Sequence, residues 1–325
     1  LDTLRLVGQL LAHKRFGGAF IERGGMQLLL TMPHTPYLAG SVGACFAGFS
    51  ANPSVIEQMC LMPNPYPSSI VRLGLWLLTT SETAQKMATS FFSSSLTFGT
   101  ILQLFDAMNG LSRLIGILKA GKEKETRHLI LTTVYCLRQY FRTHYVLFSN
   151  SLLRESTRAA SGEMIAPLPG YKSVSTDASA VTTASNVIDE YRQQHGPIKV
   201  KWAYIDQMIK SGGIITVLEL LNKAMSSTGS RTMNEDILQY ILDVLHIVSV
   251  APSTHTAILG FLSESTDGNT AKSGVEMLLS AAGTEQGKPD SITAALHIIS
   301  NMVCRQSAPQ KKPTPKPTPA LPQSS

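Results

Sequence analysis

The sequence predicts an all-α chain of short helices stacked in a row. Three observations carry that reading. Apolar residues recur at helical spacing almost throughout, glycines punctuate the helices, and two helices echo one another. In the first class, Ile130, Val134, Leu137 and Phe141 lie on one helical face. Leu238, Ile241, Leu242, Leu245 and Val248 do the same, as do Ala295, Ile298, Ile299, Met302 and Val303. Residues three and four apart share a face of a 3.6-residue helix, so each set is a buried stripe.

Glycine supplies the punctuation. A Gly followed by an apolar run occurs at "GGMQLLL" (24), "NGLSRLIGIL" (109), "GGIITVLELL" (212) and "SGVEMLLSAA" (273). Each stands where one helix would stop and another start, a place that favours positive φ and so glycine. The step from Gly25 to Gly110 is 85 residues, close to two units of about 40–47, the armadillo and HEAT period. The steps of 103 and 61 that follow fit no whole number of units. The echo is "LHIVS" at 245–249 and "LHIIS" at 296–300. Together these define an irregular armadillo/HEAT-like α-solenoid, in which each helix pair buries its apolar face against the next.

In chain order, residues 1–150 form armadillo-like helical repeats, with Pro53 after Asn52 opening one helix at its first turn. "LGLWLL" at 73–78 is apolar on every side, which predicts a buried Trp76. Residues 151–186, rich in Ser, Thr and Ala around "APLPG", read as a long flexible loop. Residues 187–304 continue the solenoid. There "IKVKW" (198–202) is the one period-2 segment, a short strand at most or an extended lead into the next helix, with Trp202 packing at its end. Thr232-Met-Asn-Glu235 has the spacing of a capping box. Residues 305–325 are proline- and lysine-rich with no apolar anchors, which predicts a disordered tail.

Composition narrows the function classes. The chain is 43% hydrophobic and 15% charged, with a net charge of +6. Four of its cations, Arg305, Lys311, Lys312 and Lys316, lie in the tail, so the body holds 24 bases against 22 acids. Without a clustered basic face, no direct nucleic-acid contact is expected. Cys45, Cys60, Cys136 and Cys304 lack zinc-site spacing and fit free thiols in a reducing compartment. No apolar run reaches the ~18 residues of a membrane span.

Catalytic motifs fail on their chemistry. Gly116-Ile-Leu-Lys-Ala-Gly121-Lys122 matches seven positions of a phosphate loop, but Glu123 stands where Ser or Thr must bind magnesium. The segment also continues a helix instead of following a strand. Kinase, G-x-S-x-G and H-E-x-x-H signatures are absent. His246 and His297, in register in the echoed helices, read as one structural slot used twice, in preference to a ligand pair. Acidic pairs such as Glu235/Asp236 and Asp189/Glu190 suit helix starts. The sequence therefore assigns no catalytic, cofactor-binding or metal-binding residue, and no cofactor.

"FIERGGMQLLL" (20–30), "LGLWLL" (73–78), "MATSFFSSSLTFGTILQLFDAMNGLSRLIGIL" (87–118) and "VYCLRQYFRTH" (134–144) resemble the N-terminal armadillo-like region of the Vpr-binding-protein family. "PLPGYKSVS" (167–175), "QHGPIKVKWAYIDQMIKSGGIITVLELL" (194–221) and "ILDVLHIVSVAP" (241–252) follow in the same order. The "LFDxxxGLxRLI" core at 104–115 is the most specific part. The tail does not match. The family comprises substrate receptors of a cullin-RING ubiquitin ligase. The resemblance implies a non-catalytic scaffold arm in protein ubiquitination, with the ligase chemistry in other subunits. Family members meet the ligase adaptor and cullin through a C-terminal propeller with W-D-x-R signatures and self-associate through a later motif; this sequence has no Trp-Asp pair. The resemblance also implies a nuclear location, with the cytoplasm second. Two other readings compete: an armadillo adaptor outside ubiquitin ligation, and a nucleotide-binding phosphotransferase using Lys122 or Lys201.

Overall fold

The structure, a computed structural model, describes residues 1–124, 126–162, 164–196, 202–226, 231–263, 271–283 and 288–303, with backbone alone at 122–124 and 231. These residues are helical almost throughout, and the β content among them is two isolated bridges. The predicted strand at 198–202 falls, except for Trp202, outside the described residues, as do Cys304 and the tail.

After α1 (Asp2–Leu11), the chain repeats a pattern of short helices followed by a longer one. The first unit is α2 (Lys14–Glu22), α3 (Gly25–Leu30) and α4 (Pro36–Ser50). The second is α5 (Pro53–Leu61), α6 (Tyr66–Leu77) and α7 (Glu82–Ser95). The third is α8 (Gly99–Ala107), α9 (Gly110–Lys124) and α10 (Arg127–Ser161). An inserted helix, α11 (Ala178–His195), precedes α12 (Ala203–Lys210), α13 (Gly213–Ser226) and α14 (Arg231–Ser249). The last described unit is α15 (His255–Leu259), α16 (Gly274–Ala282) and α17 (Pro289–Val303).

The closing helices form a ladder: α1 packs on α4, α4 on α7, α7 on α10, α10 on α14, and α14 on α17. Burial follows from that order. An internal rung has neighbours on both sides, and Ile241, Leu242, Val244, Leu245 and Val248 of α14 are all sealed from solvent. A chain of rings, Phe46–Phe91–Phe92–Phe105–Tyr140, runs through the first half at centroid spacings of 4.8 to 5.8 Å. Where α1 crosses α4, the rungs touch through small residues. A Cβ on Gly8 would sit 2.8 Å from the Ala44 carbonyl carbon, and one on Gly48 would strike the Gly8 carbonyl oxygen.

Three of the four glycine turns share one geometry. Gly24, Asn109 and Gly212 have φ of 81°, 57° and 68°, and the next residue starts a helix. That next residue is glycine for a different reason. A Cβ on Gly25 or Gly110 would lie 2.5 Å from the ring of Phe20 or Phe105, and on Gly213 it would strike the Met208 sulfur. Each time the blocking side chain stands five residues earlier, in the preceding helix. The fourth turn is built differently. Ser273 is extended and forms a capping box with Glu276, accepting the Glu276 N–H at 3.2 Å while its own N–H donates to the Glu276 carboxylate at 2.6 Å. The second unit has no such glycine and opens α6 with Pro65 and Pro67, so counting glycines misses it. The step of 103 residues is lengthened by the insertion containing α11, and the step of 61 by the longer connection between α15, which ends at Leu259, and α16, which starts at Gly274.

Three expectations need correction. The predicted loop at 151–186 is helical at both ends. α10 runs on to Ser161, and Gly162, at φ 71°, closes it by donating its N–H to Arg158 O. The proposed boundary at 150 therefore falls inside a helix. α11 starts at Ala178, capped by Asp177, whose carboxylate accepts the Ala180 N–H at 2.8 Å. The Ser and Thr residues that suggested a loop turn their hydroxyls back onto helix carbonyls, Thr182 to Ala178, Thr183 to Ser179 and Ser185 to Val181. That bonding makes them tolerable in a helix, and Ala184 and Ile188 give α11 a buried stripe. Second, Thr232 is no N-cap, because α14 already includes Arg231. Third, Trp76 is half-buried, its ring stacked on exposed His34 at 4.9 Å.

Candidate interaction surface

The insertion decides what one face of the ladder presents. Between α10 and α11 the chain forms a strap pinned by backbone and side chains. Thr100 N–H donates to Gly170 O at 3.0 Å, and Val174 N–H to Thr97 O at 2.8 Å. Lys172 pairs with Glu57 at 2.5 Å, tying the strap to α5. Arg142 donates to Thr176 O at 2.9 Å, and Thr176 to Gln139 at 3.1 Å. Gly170 fits because any Cβ there would sit 2.8 Å from Thr100 Oγ1. From the strap, α11 lies on α10, where Tyr145 donates to Ser185 at 3.2 Å. It reaches as far as α17, where Arg192 donates to Asn301 at 3.0 Å, and Asn301 to Ser249 of α14 at 3.0 Å. α11 thus contacts two rungs directly, α10 and α17.

The joint between α10 and α14 is ionic. Asp243 accepts from Arg138 at 2.5 Å and from Arg142 at 2.7 Å, with all three side chains at most 15% exposed. Burial pulls the Arg142 guanidinium down from its ordinary range, and Asp243 opposes that shift. The joint between α14 and α17 is centred on an imidazole stack, with a half-exposed ion pair, Lys288 to Asp236 at 2.7 Å, at its start. His246 and His297 stack at 5.0 Å, 24° from parallel. Desolvation, reinforced by the neighbouring His297, lowers His246 to about 4. The two imidazoles are therefore in direct contact as well as in register. No group of three or more metal-ligating side chains occurs among the described residues.

The "LFDxxxGLxRLI" stretch resolves into contacts between α8, α9 and α10. Asp106 accepts from Tyr140 at 2.6 Å and meets His144 at 3.1 Å. Burial, and next the Asp106 charge, push the Tyr140 phenol far above its usual range. His144 stacks on Tyr204 of α12 at 4.1 Å. Arg113 donates to Leu75 O at 3.0 Å, back across to α6. Trp202 is buried against Phe148 at 4.4 Å, as its expected packing role requires. The motif is thus a clamp, with its polar groups spent on neighbouring helices.

The residues weighed for nucleotide chemistry are not brought together. Gly116 and Gly121 lie inside α9, with its backbone N–H groups committed to the helix instead of to a cradle. The side chain of Lys122 and all of Lys201 fall outside the described residues. Burial pushes Cys45 and Cys60 up to about 12, and Cys136 higher still, so these free thiols stay protonated and unreactive. Among the described residues no single helix is long and apolar enough to cross a membrane.

A family model described as the DCAF1 helical domain matches residues 130–323, more than half of the chain. The chain belongs to the DCAF1 helical-domain family. A second model, the Mahjong helical domain, matches residues 1–63. These matches bear out the resemblance read from the sequence. A protein of Arabidopsis thaliana named DDB1- and CUL4-associated factor homolog 1 is 28% identical over 337 residues, covering 96% of this chain and 17% of the relative. Protein mahjong of Drosophila melanogaster is 28% identical over 328 residues, covering 93% of this chain and 21% of its own length. A Caenorhabditis elegans protein named like the first is 29% identical over 145 residues, 42% of this chain and 8% of the relative. The chain thus spans about a fifth of the length of the curated relatives it matches over most of its length.

Sequence reasoning missed the strap and α11. Two signals could have found them: Asp177 followed by the Ala180–Ala184–Ile188 stripe, and the single Gly162 after an unbroken helical run. The capping box at Ser273-Gly-Val-Glu276 was equally legible by its S-x-x-E spacing.

Proposed function

We propose that this chain is a non-catalytic scaffold arm of a substrate receptor of a cullin-RING ubiquitin ligase, acting in the nucleus and secondarily in the cytoplasm. The observation that carries the reading is membership in the DCAF1 helical-domain family, whose Arabidopsis relative is named for association with DDB1 and CUL4. The architecture agrees. A ladder of rungs with its polar groups spent on joints offers an extended surface, which is what solenoids commonly use for binding. In this reading the adaptor and cullin are met through a propeller such as the resemblance implies, and the helical arm holds or orients protein partners.

The test is a chimera. The matching helical region of the Drosophila relative is replaced by this chain, and assembly and target ubiquitination are compared with those of the relative lacking that region. The chimera should restore activity that the truncated relative loses. A chimera no better than the truncation would remove the arm from receptor function. Adaptor retained by residues 1–325 alone would overturn the division of labour. A fluorescent fusion excluded from nuclei would overturn the location.

A further inference from the structure

The strap displays a run of apolar side chains. Residues 164–169, Met-Ile-Ala-Pro-Leu-Pro, are all exposed, with Met164 at 81% and Leu168 at 47%. Exposed apolar residues are ordinary one at a time, whereas a contiguous run marks a contact surface. The run is fixed at both ends. Gly162 closes α10 before it, and Gly170 O accepts the Thr100 N–H after it. It crosses from the end of α10 to the start of α8, in the middle of the ladder. A rung beyond α17 would stand three steps from α10, and a rung ahead of α1 three steps from α7, at about 8–10 Å per step. Further rungs at either end of the ladder therefore leave this run uncovered.

Covalent chemistry sets the run extended. Pro167 and Pro169 fix their own φ at about −65°. Each also holds the residue before it, Ala166 or Leu168, to the β and polyproline region. Residues 166–169 are thus preset for polyproline II, a helix with no internal hydrogen bonds. The N–H groups of Ala166 and Leu168 and the carbonyls of Pro167 and Leu168 have no backbone partner among the described residues. A turn follows, in which the Lys172 N–H donates to Pro169 O at 2.9 Å. Gly170 of that turn lies against α8, where a Cβ would sit 2.8 Å from Thr100 Oγ1. Pro169 is left exposed and Tyr171 half-buried. Leu168-Pro169-Gly170-Tyr171 therefore combines a preset proline, free carbonyls before it and an aromatic ring two residues on.

We propose that Pro167–Tyr171 is a docking motif for a WW domain of a protein partner. Domains of this type take polyproline II segments into a groove lined by aromatic rings. The Leu/Pro–Pro–x–Tyr pattern is the form in which the proline enters that groove and the tyrosine enters a second pocket beside it. Leu168 and Pro169 supply apolar surface to the groove, and a donor of the groove meets a free carbonyl of the run. Tyr171 brings an apolar ring with a polar tip, which suits a pocket that is dry within and wet at its mouth. Because the prolines order the run beforehand, little entropy is lost on binding. The residue pattern, in addition to the exposure, names the occupant. The inference rests on the strap and is independent of the ubiquitin-ligase reading.

A purified WW domain of the class that binds Pro-Pro-x-Tyr peptides is the probe. Titrated calorimetrically against the 325-residue chain, it should bind saturably, one domain per chain. Pro169→Ala and Tyr171→Ala should each weaken binding about tenfold, the loss expected for a buried anchor. Thermal unfolding checks that both variants keep the fold, and the exposed Pro169 can be replaced without disturbing the core. Pro315→Ala combined with Pro317→Ala, in the proline-rich tail, should leave binding unchanged. Absence of saturable binding to the unmodified chain overturns the proposal, and so does a loss caused by the tail substitutions in place of the strap substitutions. An SH3 domain that binds as tightly, with no response to Tyr171→Ala, reduces the motif to its prolines and overturns the WW assignment. A chain that self-associates without the probe and becomes monomeric on Leu168→Glu assigns the run to a second copy and overturns the partner assignment.

Discussion

The unit that closes with α10 and the unit that closes with α17 supply equivalent rungs of one ladder, yet different forces hold them. α10 meets α14 through a buried ion triad, two arginines on one aspartate. α17 meets α14 through stacked imidazoles and a Ser–Asn hydrogen bond, with its one ion pair, Lys288 to Asp236, half-exposed at the helix starts. The turns ahead of the rungs differ in the same sense. The α8–α9 turn is set by shape, with Asn109 at positive φ and Gly110 wedged against Phe105. The turn into α16 is set by hydrogen bonds, in the Ser273–Glu276 box. The repeat therefore conserves a packing outline and leaves the chemistry of each joint free, so neighbouring joints respond to different perturbations.

The largest expected effect lies in the ion triad. Asp243→Ala leaves Arg138 and Arg142 side by side, 14% and 10% exposed, without a counter-ion. Breaking a buried pair by removing one partner costs about 3–5 kcal/mol. Denaturant unfolding should show that loss, and hydrogen exchange should place it in α10 and α14 before α17. Exchange rising first in α17 would reverse the assignment of the joints.

The imidazole joint should respond to acid instead. His246 is lowered in the folded chain to about 4 from an ordinary 6.5. Between those values the unfolded chain binds a proton that the folded chain refuses. Stability is therefore full above about pH 6.5 and falls as the pH drops toward 4. At about 1.4 kcal/mol per unit, the whole window is worth about 3 kcal/mol. Unfolding midpoints measured across it should fall with acidification, and His246→Phe should flatten that slope. A slope unchanged in the variant would place the titration elsewhere.

How much of this was legible beforehand follows from the kind of force. The stripes on α10 and α14 were readable because burial on a helix has a fixed period, whereas on α17 only Ala295 and Ile298 of the expected set are buried, Ile299 and Met302 are half-buried and Val303 is exposed. The glycine turns were readable as turns, but not as two separate demands. Gly110 is dictated by a ring five residues back, a contact that becomes visible only once the chain has turned. The strap and α11 escaped because Ser and Thr are ambiguous in composition, and hydroxyls bonded to their own helix carbonyls leave no periodic trace. The joints were the least legible. Asp243 could be placed on a helix, yet its partners stand about a hundred residues earlier, and nothing local links them. The clamp at Asp106, Tyr140 and His144 was seen only as a resemblance until α8 and α10 were side by side.

Gly110→Ala tests the shape-set turn. The added Cβ lies 2.5 Å from three carbons of the Phe105 ring. That ring is fully buried, 4.9 Å from Phe92 and 5.8 Å from Tyr140, so it has little room to retreat. Overpacking of this kind costs about 1–3 kcal/mol. The same substitution at Gly213 should cost less, because the obstructing atom belongs to Met208, whose thioether chain can rotate. Equal losses at the two sites, measured by thermal unfolding, would mean that the ring yields as readily as the thioether.

The smallest effect belongs to the hydrogen-bonded turn. Ser273→Ala removes the acceptor for the Glu276 N–H and so one half of the capping box, at about 1 kcal/mol. The other half survives, because the backbone N–H of residue 273 still donates to the Glu276 carboxylate. The Ser273 backbone N–H, and next its hydroxyl, hold the Glu276 carboxyl below its usual range. The carboxyl should therefore move part of the way back up in the variant, with the shift visible in an NMR titration. Gly274 must stay glycine in both proteins, since a Cβ there would strike the Ile258 carbonyl oxygen. A Ser273→Ala variant that loses as much stability as Gly110→Ala would show that the cap also positions α17. Loss of the His246–His297 stack in that variant would then merge the turn and the joint into one element, and the two units would differ in a single device instead of two.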